Sequence, residues 1–342
     1  MAIRVYSVMV ENRDEAMRAM AFVGADRPGC RYMAPKAVHR LIMLEGVLPR
    51  QANILKQEML GKGGEAAESR VLLMGTLRQY EAFLAKLDAQ PFGLPALAGR
   101  IREALAGQEG YRPYSLDCRG RTLALGVRTY VMGILNVTPD SFSDGGRYCD
   151  PGPAVERACR LVADGADIID LGGESTRPGH SPVAEAEELA RVIPVLKRLV
   201  NEIGVPVSVD TTKSAVARQA LEAGAHIIND QRALLSDPAM AGVAAEYGAP
   251  LILMHNQEGT HYQDLIGDIV EYFRESIRLA VQAGVARQKI IIDPGFGFGK
   301  KPEHNLEVLR RLKDLRCLGL PVLIGTSRKS TIGKVLDLPV DQ

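Results

Sequence analysis

The sequence lacks long apolar runs and any marked excess of charge. Its longest apolar stretches, such as PVLIG and PLILM, fall far short of the roughly 20 residues that a bilayer-spanning helix needs. The net charge of +1 creates no overall field that would attract nucleic acid. We therefore expect neither a membrane nor a nucleic acid among the partners of this protein.

Cysteine is scarce, and no two cysteines lie close together in the sequence. The five cysteines are Cys30, Cys118, Cys149, Cys159 and Cys317. An odd, scattered set gives no indication of a disulfide framework or a zinc site. The N-terminal stretch MAIRVYSVMVENRDEA carries acidic residues directly after a short apolar run, unlike a signal peptide. These features predict a cytoplasmic protein.

What the sequence does contain is one repeated pattern from residue 128 onward. An apolar strand with a polar end is followed by an amphipathic helix, which commonly closes on Gly. The strands are YVMGILNV, DIIDLGG, VPVSVDT, AHIIND, APLILMHN, KIIIDPG and PVLIGTS. Serial βα units predict parallel strands, and seven of them indicate an α/β fold of the TIM (β/α)8 type.

The predicted barrel spans residues 128–342, and its eighth βα unit is missing. The sequence stops at KVLDLPVDQ, just after the seventh strand, so we expect a barrel truncated before the eighth strand or closed in an unusual way. Residues 1–108 alternate short strands and helices, which predicts a small α/β accessory domain of unknown role. Residues 109–127 are interpreted as a connector.

Polar residues stand at the end of every predicted barrel strand. In chain order they are Asn136, Asp170, Asp210, Asn229 with Asp230, His255 with Asn256, Asp293, and Ser327 with Arg328 and Lys329. Carboxyl ends of parallel barrel strands face one mouth, so these groups converge on one site. One acidic residue could simply cap a helix, as Asp210 could before TTKSA. Capping does not explain all seven strand ends.

The chemistry of these residues predicts a ligand with two different parts. Asp210, Asn229 and Asp293 offer acceptors in a dry barrel, where each unpaired polar group would cost about 1 to 3 kcal/mol. A flat heterocycle with adjacent N–H donors, such as a 2-amino-4-oxo pterin, suits them. Arg177 and Lys329 lie in Gly- and Ser-containing loops, and GTSRKS follows strand seven, where barrels often hold phosphate. We therefore expect a heterocycle and an anion.

Six motifs, in order, closely resemble the dihydropteroate synthase family. They are MGILNVTPDSFSDGG, DIIDLGGESTRPG, VSVDTTKSAVARQAL, IIND, IIIDPGFGFGKKPEHNLEVL and VLIGTSRKSTIGKVL. The resemblance implies a transferase of folate biosynthesis, the target of sulfonamides. Such an enzyme joins 6-hydroxymethyl-7,8-dihydropterin diphosphate to 4-aminobenzoate, requires Mg²⁺ and releases diphosphate. It also implies a homodimer with only small-molecule substrates.

The resemblance also implies roles for residues on the pterin side of the site. Asp210, Asn229 and Asp293 would hold the pterin, and Lys329 would reach its carbonyl and ring nitrogen. Met254 would be a further substrate contact. Asp210 and Lys329 would also act in catalysis.

A second implied set surrounds the 4-aminobenzoate and the diphosphate. Thr176, Arg177 and Ser327 would contribute there, with Arg177 in a catalytic role, and Phe298 would wall the aminobenzoate pocket. Asn136 would help to bind the metal and the diphosphate. It begins the loop NVTPDSF, which the resemblance implies to be a mobile lid.

The sequence departs from the family pattern in three places. The Arg-x-His pair of the last strand is absent, the fourth strand continues as NDQRA in place of NDVSG, and the fifth as MHNQEGT. A packed His255 and a ligand-binding His255 are equally compatible with the sequence.

Two alternative functions stay open. One is a methyltetrahydrofolate:corrinoid methyltransferase, which needs neither the diphosphate lid nor GTSRKS, and the other is a non-catalytic pterin-binding module.

Overall fold

The computed structural model describes residue 8 and residues 10–67, 71–109, 113–137, 151–174 and 183–339. Most of the predicted first strand, the NVTPDSF loop beyond Val137, and the STRPG segment lie outside these residues. The chain divides into two compact units. Unit 1 comprises Met1–Tyr111 with Arg316–Gly319, and unit 2 comprises Arg112–Leu315 with Leu320–Gln342.

The described residues of unit 1 form a three-stranded antiparallel sheet of order β1-β3-β2 with helices around it. Its elements in chain order are α1 (Arg13–Phe22), α2 (Arg27–Ala37), β1 (His39–Leu44), α3 (Pro49–Leu60), β2 (Glu65–Ala67), β3 (Val71–Thr76), α4 (Leu77–Asp88) and α5 (Leu94–Gln108). Buried side chains of β3 alternate along the strand, and Leu73 packs with Leu55 and Phe83 in one apolar core.

Local signals account for most of unit 1. Thr76 caps the start of helix α4, and its backbone N–H donates to Gln79 Oε1 at 2.7 Å in a capping box. The sequence pattern predicts β1, β3, α1, α3 and α4. It does not predict α2 and α5, because Pro35 lies inside α2 and Gly99 lies inside α5, and both residue types disfavour helix.

Unit 2 begins with a β-hairpin where the sequence indicates a connector. Strands β4 (Tyr114–Cys118) and β5 (Arg121–Leu125) pair antiparallel. Three of their apolar side chains, Leu116, Cys118 and Leu123, are buried against isoleucines near the amino ends of the barrel strands. Those isoleucines are Ile168, Ile227, Ile252 and Ile291. The hairpin therefore covers the end of the barrel opposite the predicted site.

In the described part of the chain, six barrel strands pair in parallel and follow one another in chain order, as predicted for a TIM-type α/β barrel. They are β6 (Met132–Asn136), β7 (Ile168–Gly172), β8 (Val207–Asp210), β9 (Ile227–Asp230), β10 (Leu251–Met254) and β11 (Ile290–Asp293). Strands β10 and β11 are buried along their whole length, which explains their continuous apolar sequence.

The seventh predicted strand is present as a short extended pairing. Val322 forms a single parallel bridge with Ile292. The Ile292 N–H donates to Pro321 O at 3.0 Å, and the Leu323 N–H donates to Ile292 O at 2.8 Å. The position of the strand was therefore predicted correctly, although its pairing covers only three residues.

Helices pack on the outside of the strands. They are α6 (Pro151–Ala163), α7 (Glu185–Glu202), α8 (Ser214–Glu222), α9 (Ala239–Tyr247), α10 (Leu265–Gln282), α11 (Pro302–Arg310) and α12 (Ser330–Leu336). Helix α10 begins where Asp264 Oδ1 accepts the Gly267 N–H at 2.6 Å. Among the residues described, no helix combines the length and the apolar character needed to cross a bilayer.

Candidate active site at the barrel mouth

The ends of β6, β7 and β8 bring Asn136 and Asp210 together above a glycine. Gly172 is paired in register with both residues. A Cβ added to Gly172 would lie 3.1 Å from Asn136 Oδ1 and 3.6 Å from Asp210 Oδ2. Gly172 therefore leaves space between two oxygen-bearing side chains, a role that the sequence does not reveal.

Asn229 is oriented by a buried carboxyl group on β7. Its Nδ2 donates to Asp170 Oδ2 at 3.0 Å. Burial raises the pKa of Asp170, against the lowering effects of the hydrogen bond from Asn229 and of the nearby Ser208 hydroxyl. Asp170 thus fixes the orientation of the Asn229 amide and contributes an acidic group to this side of the barrel.

Asp210 lies in surroundings that disfavour its charge. Burial raises its pKa well above the ordinary range, and the neighbouring Asp170 raises it further. The hydrogen bond from Gln231 Nε2 at 2.5 Å acts in the opposite direction. Gln231 belongs to the NDQRA loop and was missed, although a polar residue directly after a strand end is a usable signal. A ligand with N–H donors or positive charge would stabilise the ionised carboxylate.

Asp230 faces its own loop. Its Oδ1 accepts the Arg232 N–H at 2.9 Å, and its Oδ2 accepts the Leu234 N–H at 2.7 Å. These bonds hold a turn in which Ala233 and Leu234 have positive φ angles of 49° and 71°. Asp230 therefore stabilises the fold next to the site.

Asp293 is buried at the end of β11, where its Oδ1 accepts the Gly295 N–H at 2.8 Å. Burial raises its pKa from 3.8 to about 6, against the opposing effects of the Gly295 N–H, Lys300 and Lys329. Gly295 has φ +67°, and a Cβ there would lie 2.0 Å from His255 O. Only glycine fits this position, so the loop after Asp293 has little freedom.

A buried lysine follows in the same loop. Lys300 Nζ lies 2.8 Å from His255 Nδ1 and donates to Gly295 O at 3.1 Å and Phe298 O at 3.0 Å. Burial lowers the pKa of Lys300 to about 7 and that of His255 to about 3. His255 is fully buried and neutral, so the structure favours the packed histidine over a ligand contact. Lys300 was not among the predicted site residues.

Lys329 and Phe298 meet at the mouth. The Lys329 Nζ lies 3.8 Å from the centre of the Phe298 ring. Burial lowers the pKa of Lys329, whereas the charges of Asp293 and Asp210 raise it. Lys329 is therefore within electrostatic reach of both carboxylates. Ser327 beside it is exposed.

A buried asparagine connects the loops that carry these two residues. The Gly297 N–H donates to Asn305 Oδ1 at 2.8 Å, and Asn305 Nδ2 donates to Thr331 Oγ1 at 2.9 Å. Asn305 and Thr331 are both buried. The bridge joins the loop after β11 to the start of α12, and Asn305 was not among the predicted residues.

The remaining predicted residues fall into two groups. Met254 is buried at the end of β10 and is paired in register with Asp293. Thr176 and Arg177 lie outside the described residues.

The predicted metal site depends on oxygen ligands. Among the residues described, no group of three or more His, Cys, Asp or Glu could hold a metal ion. Asn136 Oδ1 and Asp210 Oδ2 nevertheless approach the same point above Gly172. Mg²⁺ commonly binds one or two protein oxygens together with substrate phosphates. The residues present therefore fit a metal shared with a phosphorylated substrate, and do not form a cage of protein ligands alone.

Comparisons with known proteins identify the family of this chain. Residues 132–342 match the family described as pterin binding enzyme. Dihydropteroate synthase from Clostridium beijerinckii is 52% identical over 218 residues, which cover 64% of this chain and 81% of that protein. A probable bifunctional folylpolyglutamate synthase/dihydropteroate synthase from Halobacterium salinarum is 43% identical over 343 residues. That alignment covers 95% of this chain, so it includes most of unit 1, but only 41% of the relative.

Solved structures give the same assignment. Dihydropteroate synthase from Clostridium difficile with pteroic acid is 54% identical, with a TM-score of 0.62, over 63% of this chain and 82% of that chain. The Xanthomonas albilineans dihydropteroate synthase with 4-aminobenzoic acid is 47% identical, with a TM-score of 0.63, over 66% of this chain and 82% of that one. The chain therefore belongs to the pterin-binding enzyme family, among the dihydropteroate synthases.

Proposed function

We propose that this chain condenses 6-hydroxymethyl-7,8-dihydropterin diphosphate with 4-aminobenzoate to give 7,8-dihydropteroate and diphosphate, a step of folate biosynthesis. The observation that carries the proposal is the convergence of Asp210, Asn229, Asp293 and Lys329 at one barrel mouth. The relatives crystallised with pteroic acid and with 4-aminobenzoic acid support this choice of substrates.

Asp293 is the group best placed to recognise the pterin ring. Its carboxylate is buried, and the Gly295 N–H already occupies Oδ1. The adjacent N–H donors of a 2-amino-4-oxo pterin would pair with the free acceptor capacity of the carboxylate in a charge-assisted contact. Asn229, oriented by Asp170, would add a neutral hydrogen bond.

Asp210 would stabilise charge during the reaction, and Lys329 and Phe298 would contact the two substrates. The C–O bond between the pterin methylene and the diphosphate breaks, which leaves positive charge on the methylene and the ring. The Asp210 carboxylate would stabilise this charge, since its surroundings favour a nearby cation. The arylamine nitrogen then forms the new C–N bond and loses a proton to solvent. Phe298 would wall the aminobenzoate, and Lys329 would reach the pterin carbonyl.

The residues proposed to surround the diphosphate are Asn136, Ser327, Thr176 and Arg177. Met254 is proposed as a further contact to the substrate. Mg²⁺ bound at Asn136 together with the diphosphate would neutralise negative charge on the leaving group. The oxygen atoms of Asn136 and Asp210 near Gly172 support this metal position. The roles of Thr176 and Arg177 remain predictions from the sequence.

The test measures diphosphate release by the full chain with Mg²⁺. We expect release only when the pterin diphosphate and 4-aminobenzoate are both present, and 7,8-dihydropteroate in equal amount. Each substrate alone is the control. Pterin binding without any release would favour the non-catalytic module. Methyl transfer from methyltetrahydrofolate to a cobalamin protein would favour the corrinoid methyltransferase.

A homodimer and a cytoplasmic location also remain predictions. Light scattering of the purified chain checks the first, and fractionation of the producing cells checks the second.

A further inference from the structure

Lys300 is a buried amino group in the described part of the chain, and it is protonated below its pKa of about 7. It is 9% exposed, and no ion pair among those residues includes it. Its neighbours are the His255 ring and the carbonyl groups of Gly295 and Phe298. A buried charge with only neutral partners is costly, so its retention calls for an explanation.

The Gly295 peptide connects Lys300 to Asp293. The N–H of Gly295 donates to Asp293 Oδ1 at 2.8 Å, and its carbonyl accepts from Lys300 at 3.1 Å. Lys300 also binds the carbonyl of Phe298, the residue whose ring lies under Lys329. The Lys300 side chain thus fixes the loop that follows Asp293 and carries Phe298, both of which are proposed substrate contacts.

The charges around Asp293 come from several elements. Lys300 of its own loop and Lys329 before α12 favour the carboxylate, whereas Asp170 of β7 disfavours it. His255 after β10 is neutral, because burial and Lys300 lower its pKa to about 3. Among the described residues, Lys300 and Lys329 are the cations that offset the burial of Asp293.

We propose that Lys300 is a positioning residue, which fixes the loop of residues 294–300 and keeps Asp293 ionised for the pterin without touching the substrate. This inference rests on the proposed function, because it takes pterin as the ligand of Asp293. It assigns a role to a residue outside the substrate contacts proposed above.

The consequence is a specific pH dependence. The pKa of Asp293 is about 6, and Lys300 lowers it. Pterin should bind the ionised carboxylate, so affinity should fall as pH drops through about 6 in the native chain. Removing the charge of Lys300 should move this midpoint upward by about one pH unit, the scale of a buried charge interaction.

The experiment measures binding of 6-hydroxymethyl-7,8-dihydropterin to the full chain by calorimetry between about pH 5.5 and 8. Lys300→Met and Lys300→Gln remove the charge, and Lys300→Arg keeps it. If the midpoint of the Met and Gln variants lies one pH unit higher, their pterin affinity at pH 6 should be about 5-fold lower than that of the native chain. At pH 8 Asp293 is ionised in all chains, so this difference in affinity should nearly vanish. A loss from loop displacement alone would be the same at every pH.

Lys289→Met is the matched control. Lys289 lies just before β11 and binds Gly248 O and Asp117, at the opposite end of the strand that ends in Asp293. Its removal should leave the midpoint unchanged. A native midpoint in the Met or Gln variant overturns the inference, and either variant suffices if the other does not fold. Absence of pterin binding by the native chain at every pH contradicts the proposed function instead.

Discussion

At the scale of single residues, the carboxyl groups at the barrel mouth destabilise the empty fold. Burial raises the pKa of Asp293 from 3.8 to about 6, and raises those of Asp170 and Asp210 as well. At Asp293 the folded state therefore binds more protons than the unfolded chain between about pH 4 and 6, so the contribution of this group to stability falls as pH rises through that window. Above this pH window the free-energy cost of the buried carboxylate stays constant, and a bound ligand that donates hydrogen bonds would offset it.

Asp293→Asn should consequently stabilise the empty protein at pH 7.5. The amide oxygen can still accept the Gly295 N–H, and no buried charge remains. A two-unit shift corresponds to an upper limit of about 3 kcal/mol, so we expect the free energy of unfolding to rise by about 1 to 3 kcal/mol. Urea unfolding at pH 5 and pH 7.5 measures this. The gain should shrink at pH 5, and a variant less stable at pH 7.5 would contradict the argument.

The same substitution should weaken pterin binding. A neutral amide replaces a carboxylate that accepts ring N–H donors in a buried site, which should cost about 2 to 4 kcal/mol of binding free energy at pH 7.5. Calorimetry with 6-hydroxymethyl-7,8-dihydropterin measures the loss. Asp230→Asn is the control, because Asp230 holds only its own turn, so it should lower stability and leave affinity nearly intact. Equal losses of affinity in both variants would show that Asp293 has no special role.

At the scale of elements, the site depends on a bridge between two loops. Asn305 near the start of α11 joins Gly297 to Thr331 of α12. The bridge joins Gly297, next to Phe298, to Thr331, two residues after Lys329, and Phe298 and Lys329 are in contact although they belong to different loops. The pair can keep its separation of 3.8 Å only while both loops keep their spacing.

Asn305→Ala should therefore lower both stability and pterin affinity. The variant leaves the Gly297 N–H and the Thr331 hydroxyl without their partner, and each buried unsatisfied group costs about 1 to 3 kcal/mol. Thr331→Val removes only one of the two hydrogen bonds, so its effects should be smaller in the same direction. Thermal unfolding and pterin calorimetry on both variants check this order. A Thr331→Val variant as damaged as Asn305→Ala would contradict the bridge.

The sequence predicts the strands of the barrel far better than the contacts among their polar ends. Continuous apolar runs such as Ile290–Asp293 leave little alternative to a buried parallel strand. By contrast, Asp230 and Asp293 look alike as strand-end acids, and only the fold shows that one faces its loop and the other the mouth. Lys300 and Asn305 escape prediction because their partners are set by loop geometry, and in part by residues far away in the sequence.

At the scale of the whole molecule, the hydrogen bonds and ring contacts described above for the site all involve residues of unit 2. The β4–β5 hairpin belongs to that unit, although the sequence indicates a connector there. The turn sequence CRGR is compatible with a connector and with a hairpin, so the sequence pattern alone does not distinguish the two structures. What distinguishes them is the burial of Leu116, Cys118 and Leu123 against the barrel strands.

The hairpin leads to a prediction about two shortened chains. A chain that begins at Arg112 keeps the hairpin and should bind 6-hydroxymethyl-7,8-dihydropterin with nearly native affinity. A chain that begins at Arg128 exposes the isoleucines near the amino ends of the strands, and loses three buried side chains worth about 1.5 to 3 kcal/mol each. Since domains are stable by only about 5 to 15 kcal/mol, this chain should be largely unfolded at 37 °C. Circular dichroism and pterin calorimetry compare the two shortened chains.

Leu116→Ala in the full chain separates the loss of packing from the loss of chain length, with an expected cost of about 2 to 5 kcal/mol in the free energy of unfolding. If the chain beginning at Arg128 were as stable as the longer one, the hairpin would have no part in closing the barrel.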